Sequence, residues 1–505
     1  MSTHKHIDTI CIVITVFAVL LTVLFMNGKA LGIEAITDGG AESESGQFTA
    51  NDLNADWDTA LATQITLTGE DGKVTGGGAY MLDGDLHILY AGRYVLSGAL
   101  TNGSVIIDAE SNDKIWILLN GVSLHCDDSA AIVVEQAGKV FLTLAEGTEN
   151  TVSSGAEYTE DAVSSKIDGA IYSRDNLTIN GSGSLTVTAE YKHGIVGNDD
   201  LVIVGPNIEI TAVQDGIHAN DSARFADMEL TINAGDDGIT VGNDDETAYI
   251  YIESGKINIP SCYEGIEAID ITIAGGTIDI RPTDDGINAN GRGSNSVIRI
   301  TGGDVTIINE TGRDADGLDS NGDILISGGN IFISVNTSSY ALDYGSENGG
   351  VCEISGGTVI AAGSSAMAEG FDSSSTQAFL MVNTTTAEAG TTVTLKNSAG
   401  TVLVSEPIPC RFSSIVISTP EMQLNETCTL LIGETETEVT IDNSSGSGGF
   451  GMGGMQHGGF GKGGMFGGGM QQGGGTFGGR GGKGDRSFGN RTSDTADSAK
   501  DGAEQ

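Results

Sequence analysis

The sequence Asp-Gly-Ile, or a close variant of it, recurs through the middle of the chain at a nearly regular spacing. The glycines of seven successive copies are separated by 25, 22, 22, 27, 21 and 31 residues. A repeat of this length, with short strand-like segments between the copies, is typical of a solenoid in which each repeat forms one coil. A solenoid stacks equivalent positions, so the acidic residues of the motif should lie beside one another. The copies begin at Asp168, His193, Asp215, Asp236, Glu264, Asp284, Asp316 and, in degenerate form, Tyr340.

A second marker follows the same period. Gly-Gly pairs begin at Gly275, Gly302, Gly328 and Gly356, and they are separated by 27, 26 and 28 residues. Glycine is required where a tight corner needs a positive φ or a close approach of two backbones. The two markers together predict three short strands per coil: one from the Gly-Ile step, one in the middle, and one after the glycine pair. We therefore predict an all-β chain whose residues 66–375 form a parallel β-helix.

The segments on either side of the predicted solenoid differ from it. An apolar run over residues 10–26 follows His4, Lys5 and His6. Residues 1–33 are therefore either a cleaved signal peptide or a single N-terminal transmembrane anchor. In both cases the rest of the chain is exported, to the cell surface or the extracellular medium, with the basic end left inside. Residues 34–65 are polar and small, and we interpret them as a linker.

The C-terminal part divides into two segments. Residues 376–442 contain longer strands and no Gly-Ile step, which predicts a small β-sandwich-like domain that caps the open end of the solenoid. In residues 443–505, 24 of 63 residues are glycine, so this tail is predicted to be disordered. It is either a flexible spacer or a weak contact to cell-wall material or other copies.

The cysteines do not form a recognisable framework. Five lie outside the apolar run, an odd number without CxxC spacing, which argues against a disulfide scaffold and a zinc site. Cys410 and Cys428 leave open one pair within the cap. We expect the other three to be buried apolar residues.

The charge restricts the partners. Residues 39–442 contain 61 acidic and 15 basic residues, so this segment carries the whole net charge of −46. Such a surface repels nucleic acid and anionic lipid, and it attracts divalent cations. A solubilising acidic surface explains much of this charge but not its periodic placement. We expect a monomer without a nucleic-acid partner, and membrane contact through the N-terminal segment only.

Stacked carboxylates need a counter-charge. Equivalent residues of neighbouring coils lie ~4.8 Å apart, where two carboxylates repel by roughly 3 kcal/mol at an effective dielectric constant of 20. Either the side chains turn into water or a cation lies between the coils. Oxygen ligands suit Ca²⁺, whereas no grouping of His or Cys in the sequence suggests a transition metal. The candidate ligands are Asp215, Asp236, Asp237, Glu264, Glu267, Asp284, Asp285, Asp314, Asp316, Asp319 and Asp343.

An alternative interpretation is that Asp-Gly only makes a turn, the aspartate bonding the backbone two residues on. This accounts for single copies but not for the doubled Asp-Asp-Gly, nor for Glu267 and Asp319 beyond the glycine. His193 replaces the acid before Gly194, so metal binding is not expected at that coil. Four tyrosines near the motif either stack on sugar rings or pack at the corner. They are Tyr191, Tyr263, Tyr340 and Tyr344.

The chain resembles the clostridial carbohydrate-binding β-helix proteins that bind cellulose and pectic polymers. The resemblance covers residues 66–442. It rests on Asn-Thr-Val-Ser at 150–153, Ile-Asp-Gly-Ala-Ile-Tyr-Ser at 167–173, Asn-Leu-Thr-Ile-Asn-Gly at 176–181, the serial Asp-Gly-Ile copies and the Gly- and Met-rich tail. It implies a right-handed, pectate-lyase-like β-helix that contains bound calcium and binds extracellular polysaccharide. The metal ligands of the family would correspond to the Asp-Gly-Ile carboxylates.

Three functions are compatible with these observations. The first is a non-catalytic, calcium-stabilised protein that binds cellulose or uronate glycans outside the cell. The second is a calcium-dependent polysaccharide lyase, in which Lys192, Arg281 or Arg313 would remove the proton α to a uronate carboxyl group. No cluster of basic residues surrounds the acidic row, which weighs against the lyase. The third is a structural surface adhesin in which calcium only stiffens the coils.

Overall fold

The computed structural model describes residues 45–444, apart from residues 244–245, 293–294 and 367. The predicted signal or anchor segment, and the tail beyond Ser444, lie outside this range. Within it, no helix is both long and apolar enough to cross a membrane. The chain divides after Ala55 into two compact units. The described part of the first unit contains the short helix Ala50–Leu53, whose first turn is capped reciprocally by Thr49 and Asp52.

The second unit is built from short strands in three ladders, which we call faces A, B and C. Face A is a 12-stranded sheet of the described residues, and faces B and C belong to one 24-stranded sheet. The strands of face A are Ala79–Leu82, Asp85–Ile88, Val105–Asp108, Ile132–Gln136, Gly169–Ser173, His193–Gly197, Ile217–Ala219, Ile239–Val241, Ile266–Ala268, Ile287–Ala289, Leu318–Ser320 and Leu342–Tyr344.

Faces B and C follow face A in each coil. The first long strands, Thr63–Gly69, Gly92–Leu100 and Lys114–Cys126, precede the regular coils, and Gly72–Thr75 pairs antiparallel with the first of them. Face B then contains Lys139–Leu144, Leu177–Gly181, Asp200–Val204, Ser222–Ala226, Tyr249–Ile252, Asp270–Ile273, Val297–Ile300, Asp323–Ile326 and Cys352–Ile354. Face C contains Glu149–Ser154, Ser184–Ala189, Asn207–Ala212, Met228–Ala234, Gly255–Cys262, Thr277–Pro282, Asp304–Asn309, Asn330–Val335 and Thr358–Gly363.

This arrangement confirms the predicted parallel β-helix with three strands per coil. The isoleucine of the Gly-Ile step begins the face A strand and points into the core, where each copy stacks on the next. Burial of each such side chain contributes about 1.5–3 kcal/mol. The stack is continuous and almost fully buried from Ile171 through Ile195, Ile217, Ile239, Ile266, Ile287 and Leu318 to Leu342.

The corner glycines behave as the sequence predicted. In each Gly-Gly pair the second glycine precedes a face C strand and has a positive φ, for example +91° at Gly276 and +88° at Gly303. Side chains other than glycine are strained in this conformation. The motif glycines have a different role. A Cβ atom on Gly265 would overlap the carbonyl oxygen of Gly286 and the Ile280 side chain, so close approach of coils selects glycine there.

We expect Gly265→Ala to destabilise the protein, because the added methyl group must displace the backbone of the next coil. Overpacking of this kind costs about 1–3 kcal/mol. The matched control is Gly77→Ala, since a Cβ atom there has no neighbour within 4 Å. Thermal melting of the two variants should show a clear loss only for Gly265→Ala. Equal melting temperatures would contradict the close-approach role of the motif glycine.

The C-terminal part caps the solenoid with a two-layer structure. Phe412–Ser418 pairs antiparallel with the last face C strand, and Phe379–Ala387 pairs antiparallel with Phe412–Ser418, so that both extend the large sheet. A separate four-stranded sheet, Thr391–Lys396, Val402–Ile408, Thr427–Ile432 and Thr435–Thr440, packs on this extension through a shared apolar cluster. The last solenoid strand is therefore paired, and its edge is covered, as the sequence predicted.

Few helical turns interrupt the strands of the second unit. The described ones are Thr59–Leu61, Glu160–Ser164 and Ser346–Asn348. All five described cysteines are buried thiols, which confirms the apolar role predicted for three of them. Cys410 and Cys428, which the sequence left open as a pair, do not form a disulfide. Cys410 instead points into the solenoid end and donates to the carbonyl oxygen of Ser334 at 3.2 Å.

Candidate functional site

The motif acids form two adjacent rows along face A. The buried row contains the residue before each motif glycine from Gly194 onward. Its members stack because each of these glycines donates its N–H to the carbonyl of the residue that precedes the motif glycine, or its counterpart, in the next coil. The outer row contains the residue two positions after the glycine and follows the strand register. The buried row is His193, Asp215, Asp237, Glu264, Asp285 and Asp316. The outer row is His218, Thr240, Glu267, Asn288, Asp319 and Asp343.

The backbone fixes the orientation of the buried row. The N–H of Asp237 donates to Asp215 Oδ1 at 3.3 Å, and the N–H of Glu264 donates to Asp237 Oδ1 at 3.1 Å. Asp316 N–H donates to Asp285 Oδ1 at 2.6 Å. These carboxylates therefore bond the coil above in addition to facing the outer row. The backbone of the sheet therefore holds the side chains of the buried row in one orientation.

Three groups of carboxylates have oxygen atoms within 4.8 Å of one another. Each group combines neighbouring coils, and consecutive groups share Glu264 or Asp285. Carboxylate triads of this kind are ligand sets for a hard divalent cation. The shared residues make the groups a linear array rather than isolated sites. The groups are Asp237–Glu264–Glu267, Glu264–Asp284–Asp285 and Asp285–Asp316–Asp319.

Burial and mutual repulsion raise the pKa values of the first group. Burial is the larger cause for Glu267, and repulsion by Asp237 adds to it, so that its pKa rises to about 8. Burial also raises the pKa of Asp237, with repulsion by Glu264 as the next cause. For Glu264, burial and then repulsion by Glu267 raise the pKa. This first group must therefore share either protons or a cation at neutral pH.

Two asparagines support the same group from the next coil. Asn288 Nδ2 donates to Glu264 Oε2 at 2.9 Å, and Asn290 Nδ2 donates to Glu267 Oε1. These bonds hold the two glutamates in place. Supporting contacts of this kind orient metal ligands and strengthen metal binding.

A different group lies one coil earlier. His193 Nδ1 and His218 Nδ1 lie 3.1 and 2.9 Å from the same oxygen, Oδ2 of Asp215. The two rings stack with centroids 4.7 Å apart. Burial raises the pKa of Asp215, but attraction to His193 and hydrogen bonds from both histidines outweigh it, so that the pKa is lowered. For His218, burial lowers the pKa and the bond to Asp215 raises it, with a net rise.

The sequence does not predict this histidine group, because His193 replaces the motif acid of its coil and metal binding is not expected there. Recognising it requires the register, since His218 follows the motif glycine of the next coil. The register also shows in which coils the outer row is apolar and in which it is polar. Val196 precedes His218 in the outer row and packs under Ala162 and Ile167 of the insertion around Glu160–Ser164. The outer row is therefore polar only from His218 onward.

The structure brings together eight of the predicted metal ligands and leaves three outside these groups. Asp343 continues the outer row beyond Asp319. Asp236 directly precedes Asp237 and is half-buried. Asp314 is exposed and has a positive φ of 55° at the corner of the longest repeat.

The basic residues proposed for a lyase do not converge on the acid rows. Lys192 Nζ lies 3.3 Å from Asp168 Oδ2, and Arg281 Nε lies 3.0 Å from Asp279 Oδ1 on its own strand. Arg313 is exposed. Lys192 and Arg281 are thus already paired with other carboxylates.

The predicted sugar-binding tyrosines are half-buried and dispersed. Tyr191 stacks on Tyr158 with centroids 4.2 Å apart. Tyr344 donates its hydroxyl hydrogen to Asp372 Oδ1 at 3.3 Å. Tyr263 lies beside Glu264, and Tyr340 occupies the buried-row position after Asp316. Tyr191 and Tyr344 therefore take part in packing and hydrogen bonding at the corner.

An open groove of about 530 Å³ lies on face A of the first coils. Ile106 and Val133 are among its lining residues, and Asp83, Asp128 and Asp161 are among the acidic ones. The groove was not predictable from the motif, because its residues come from coils without Asp-Gly-Ile.

The fold and the acid rows define a parallel β-helix that presents clustered carboxylates along one face. The chain matches the carbohydrate-binding domain-containing protein family over residues 82–364, and it belongs to that family. A carbohydrate-binding domain-containing protein of Acetivibrio thermocellus is 36% identical over 129 residues, which are 25% of this chain. The match spans 45% of that relative. A solved structure of a polysaccharide lyase-like protein from C. thermocellum, a gadolinium derivative, is 29% identical, with a TM-score of 0.43. The comparison covers 53% of this chain and 97% of that one.

Proposed function

We propose that the protein is an exported, non-catalytic polysaccharide-binding protein whose face A binds Ca²⁺. Its ligands would be cellulose or uronate glycans of a cell wall or cell surface. The observation that carries the proposal is the linear array of carboxylate triads along face A, together with membership of a carbohydrate-binding family. The residues that would hold calcium are those of the three groups, from Asp237 to Asp319.

The donor set of the array fits calcium better than a softer cation. All members of the three groups offer carboxylate oxygen, and Ca²⁺ accepts six to eight such ligands in flexible geometry. The raised pKa values of Asp237, Glu264 and Glu267 give the physical reason for binding. Their ionised forms repel one another when no cation is bound, so a divalent ion removes an existing cost.

Calcium also reconciles the acidic surface with an acidic ligand. The outer-row side chains Glu267 and Asp319 are half-exposed, so an ion held by them faces the solvent. A protein triad does not fill the coordination sphere of Ca²⁺. The remaining positions accept water or the carboxylate of a uronate, which the bare surface would repel.

Binding to insoluble polysaccharides, with and without Ca²⁺, tests this proposal. We expect retention on cellulose, or on polygalacturonate coupled covalently to beads, to fall at least about tenfold in EDTA, a loss of about 1.4 kcal/mol or more. The double variant Glu264→Gln, Asp285→Asn should bind weakly in both conditions. The matched control is Glu229→Gln, Asp279→Asn, which makes the same charge change on face C.

The other functions give different results in the same experiment. A rise in absorbance from unsaturated product, when the protein is incubated with polygalacturonate and Ca²⁺, would establish a lyase. Stabilisation by calcium without retention on any polysaccharide would favour a structural adhesin. Retention that is equal with and without EDTA would contradict the calcium-dependent mode of binding.

A further inference from the structure

We infer that His193, Asp215 and His218 form a separate site for a divalent transition-metal ion of the zinc class, next to the calcium array. The site combines Asp215 of the buried row, His218 of the outer row, and His193 of the buried row in the preceding coil. It does not depend on the polysaccharide-binding proposal. The inference stands on the geometry of three side chains and on their donor chemistry.

The distances are close to those of a metal-bound set. Both Nδ1 atoms converge on Asp215 Oδ2, at 3.1 Å from His193 and 2.9 Å from His218. Ligand atoms about 2.0–2.2 Å from a tetrahedral zinc ion are separated by roughly 3.3–3.6 Å. Shifts of a few tenths of an ångström in these three side chains would therefore admit the ion. The stacking of the two rings already holds them on the same side of Asp215.

A second observation concerns His193 Nδ1. This atom is placed to accept a hydrogen bond from the backbone N–H of Asp215 at 3.3 Å, while it also faces the Asp215 carboxylate at 3.1 Å. When it accepts that bond, its lone pair lies close to a carboxylate oxygen, and the two repel. A cation bound by the Nδ1 lone pair and by the carboxylate oxygen would take the place of the N–H contact and would remove this repulsion. His193 is only 9% exposed, so water screens the repulsion poorly.

The donor types distinguish this site from the neighbouring groups. Two imidazole nitrogens and one carboxylate oxygen suit Zn²⁺ and similar ions, whereas Ca²⁺ prefers oxygen ligands throughout. Three protein ligands leave a fourth position for water or for a carboxylate or hydroxyl group of a bound molecule. The same surface would therefore bind two classes of cation, separated by one coil.

Co²⁺ is the probe, used with the full-length protein in excess Ca²⁺ so that the carboxylate groups are saturated. We expect one tightly bound Co²⁺ with a visible d–d absorption band, displaced by Zn²⁺ and not by Ca²⁺. Loss of a residue that only supports a metal ligand weakens metal binding about 10–100-fold. Loss of a ligand should cost at least as much, so His193→Gln and His218→Gln should each lower the affinity for Co²⁺ at least about tenfold. The control is His125→Gln, because His125 bonds Asp127 at 2.9 Å without a second histidine beside it.

A measurement without variants covers the case in which a substitution disturbs folding. Zn²⁺ should protect His218, whose side chain is 25% exposed, and not His125 from acylation by diethyl pyrocarbonate, as read by mass spectrometry of peptides. Equal modification with and without Zn²⁺, or a Co²⁺ band unchanged in both His→Gln variants, would overturn the inference. In that case the two imidazoles simply donate N–H bonds to Asp215. Displacement of Co²⁺ by Ca²⁺ would also overturn it and would assign Asp215 to the calcium array.

Discussion

Removing Ca²⁺ with EDTA is expected to lower the melting temperature on the order of 10 °C at neutral pH. A ligand at one hundred times its dissociation constant stabilises a protein by about 2.7 kcal/mol per site. Three sites, one for each carboxylate group of face A, would together contribute about 8 kcal/mol. The effect should be large because the groups share Glu264 and Asp285, so that chelation exposes the whole row to repulsion at once.

Thermal melting by circular dichroism, in Ca²⁺ and in EDTA, measures this difference. Mg²⁺ at the same concentration serves as a control for ionic strength, since its stricter octahedral geometry suits a flexible carboxylate array less well. An EDTA melt that coincides with the Ca²⁺ melt would rule out calcium in the coils. A difference that persists after Glu264 and Asp285 are replaced would place the calcium elsewhere in the chain.

The double variant Glu264→Gln, Asp285→Asn is expected to reverse the order of stability between the two conditions. At pH 8 in EDTA it should melt above the wild-type protein, and in Ca²⁺ it should melt below it. The amides keep the hydrogen bonds that the backbone N–H of Asp316 and the side chain of Asn288 donate to these two residues. The amides remove the repulsion between the carboxylates, and they also remove the negative charge that would bind Ca²⁺.

The pH dependence of the melting temperature follows from the same groups. The pKa of Glu267 is raised to about 8 in the folded state, and those of Asp237 and Glu264 are also raised. The folded state therefore holds more protons than the unfolded state between about pH 4 and pH 8. Without Ca²⁺, the contribution of these three groups to the free energy of unfolding should be largest below about pH 4. It should be lost progressively as the pH rises to about 8.

The variant should lose less stability over this range, because one of the raised groups no longer titrates. With Ca²⁺, ionisation favours binding, so the wild-type melting temperature should hold or rise toward pH 8. A wild-type protein whose melting temperature in EDTA rises steadily from pH 5 to pH 8 would contradict the repulsion assigned to these carboxylates.

Much of the fold was predictable because it depends on local chemistry that repeats. Gly265 marks the approach of two coils, and Gly276 marks a corner that needs a positive φ. The isoleucines after the motif glycines mark the core. None of these signals requires knowledge of distant parts of the chain. Their common period was sufficient to predict three strands in each coil.

The strand pairing at the end of the solenoid could not be predicted in the same way. Strands of the cap, such as Phe412–Ser418, continue the large sheet antiparallel to its last parallel strand. Such pairing joins segments far apart in sequence, and alternating apolar residues do not specify the partner. The same applies to Cys410, which contacts Ser334 in the solenoid rather than Cys428 in the cap.

The sequence by itself determined the period, the three-stranded coil and the line of acids beside the motif glycine. Only the tertiary structure decided which acids lie close enough to one another to bind the same ion. The loops between strands vary in length from coil to coil, so the register of each face, not the count of residues, sets the neighbours. That register joins Glu264 with Glu267 and Asp237, and leaves Asp314 exposed at a corner. It also places His218 against His193 and Asp215, because parallel pairing stacks residues that the sequence separates by a whole coil.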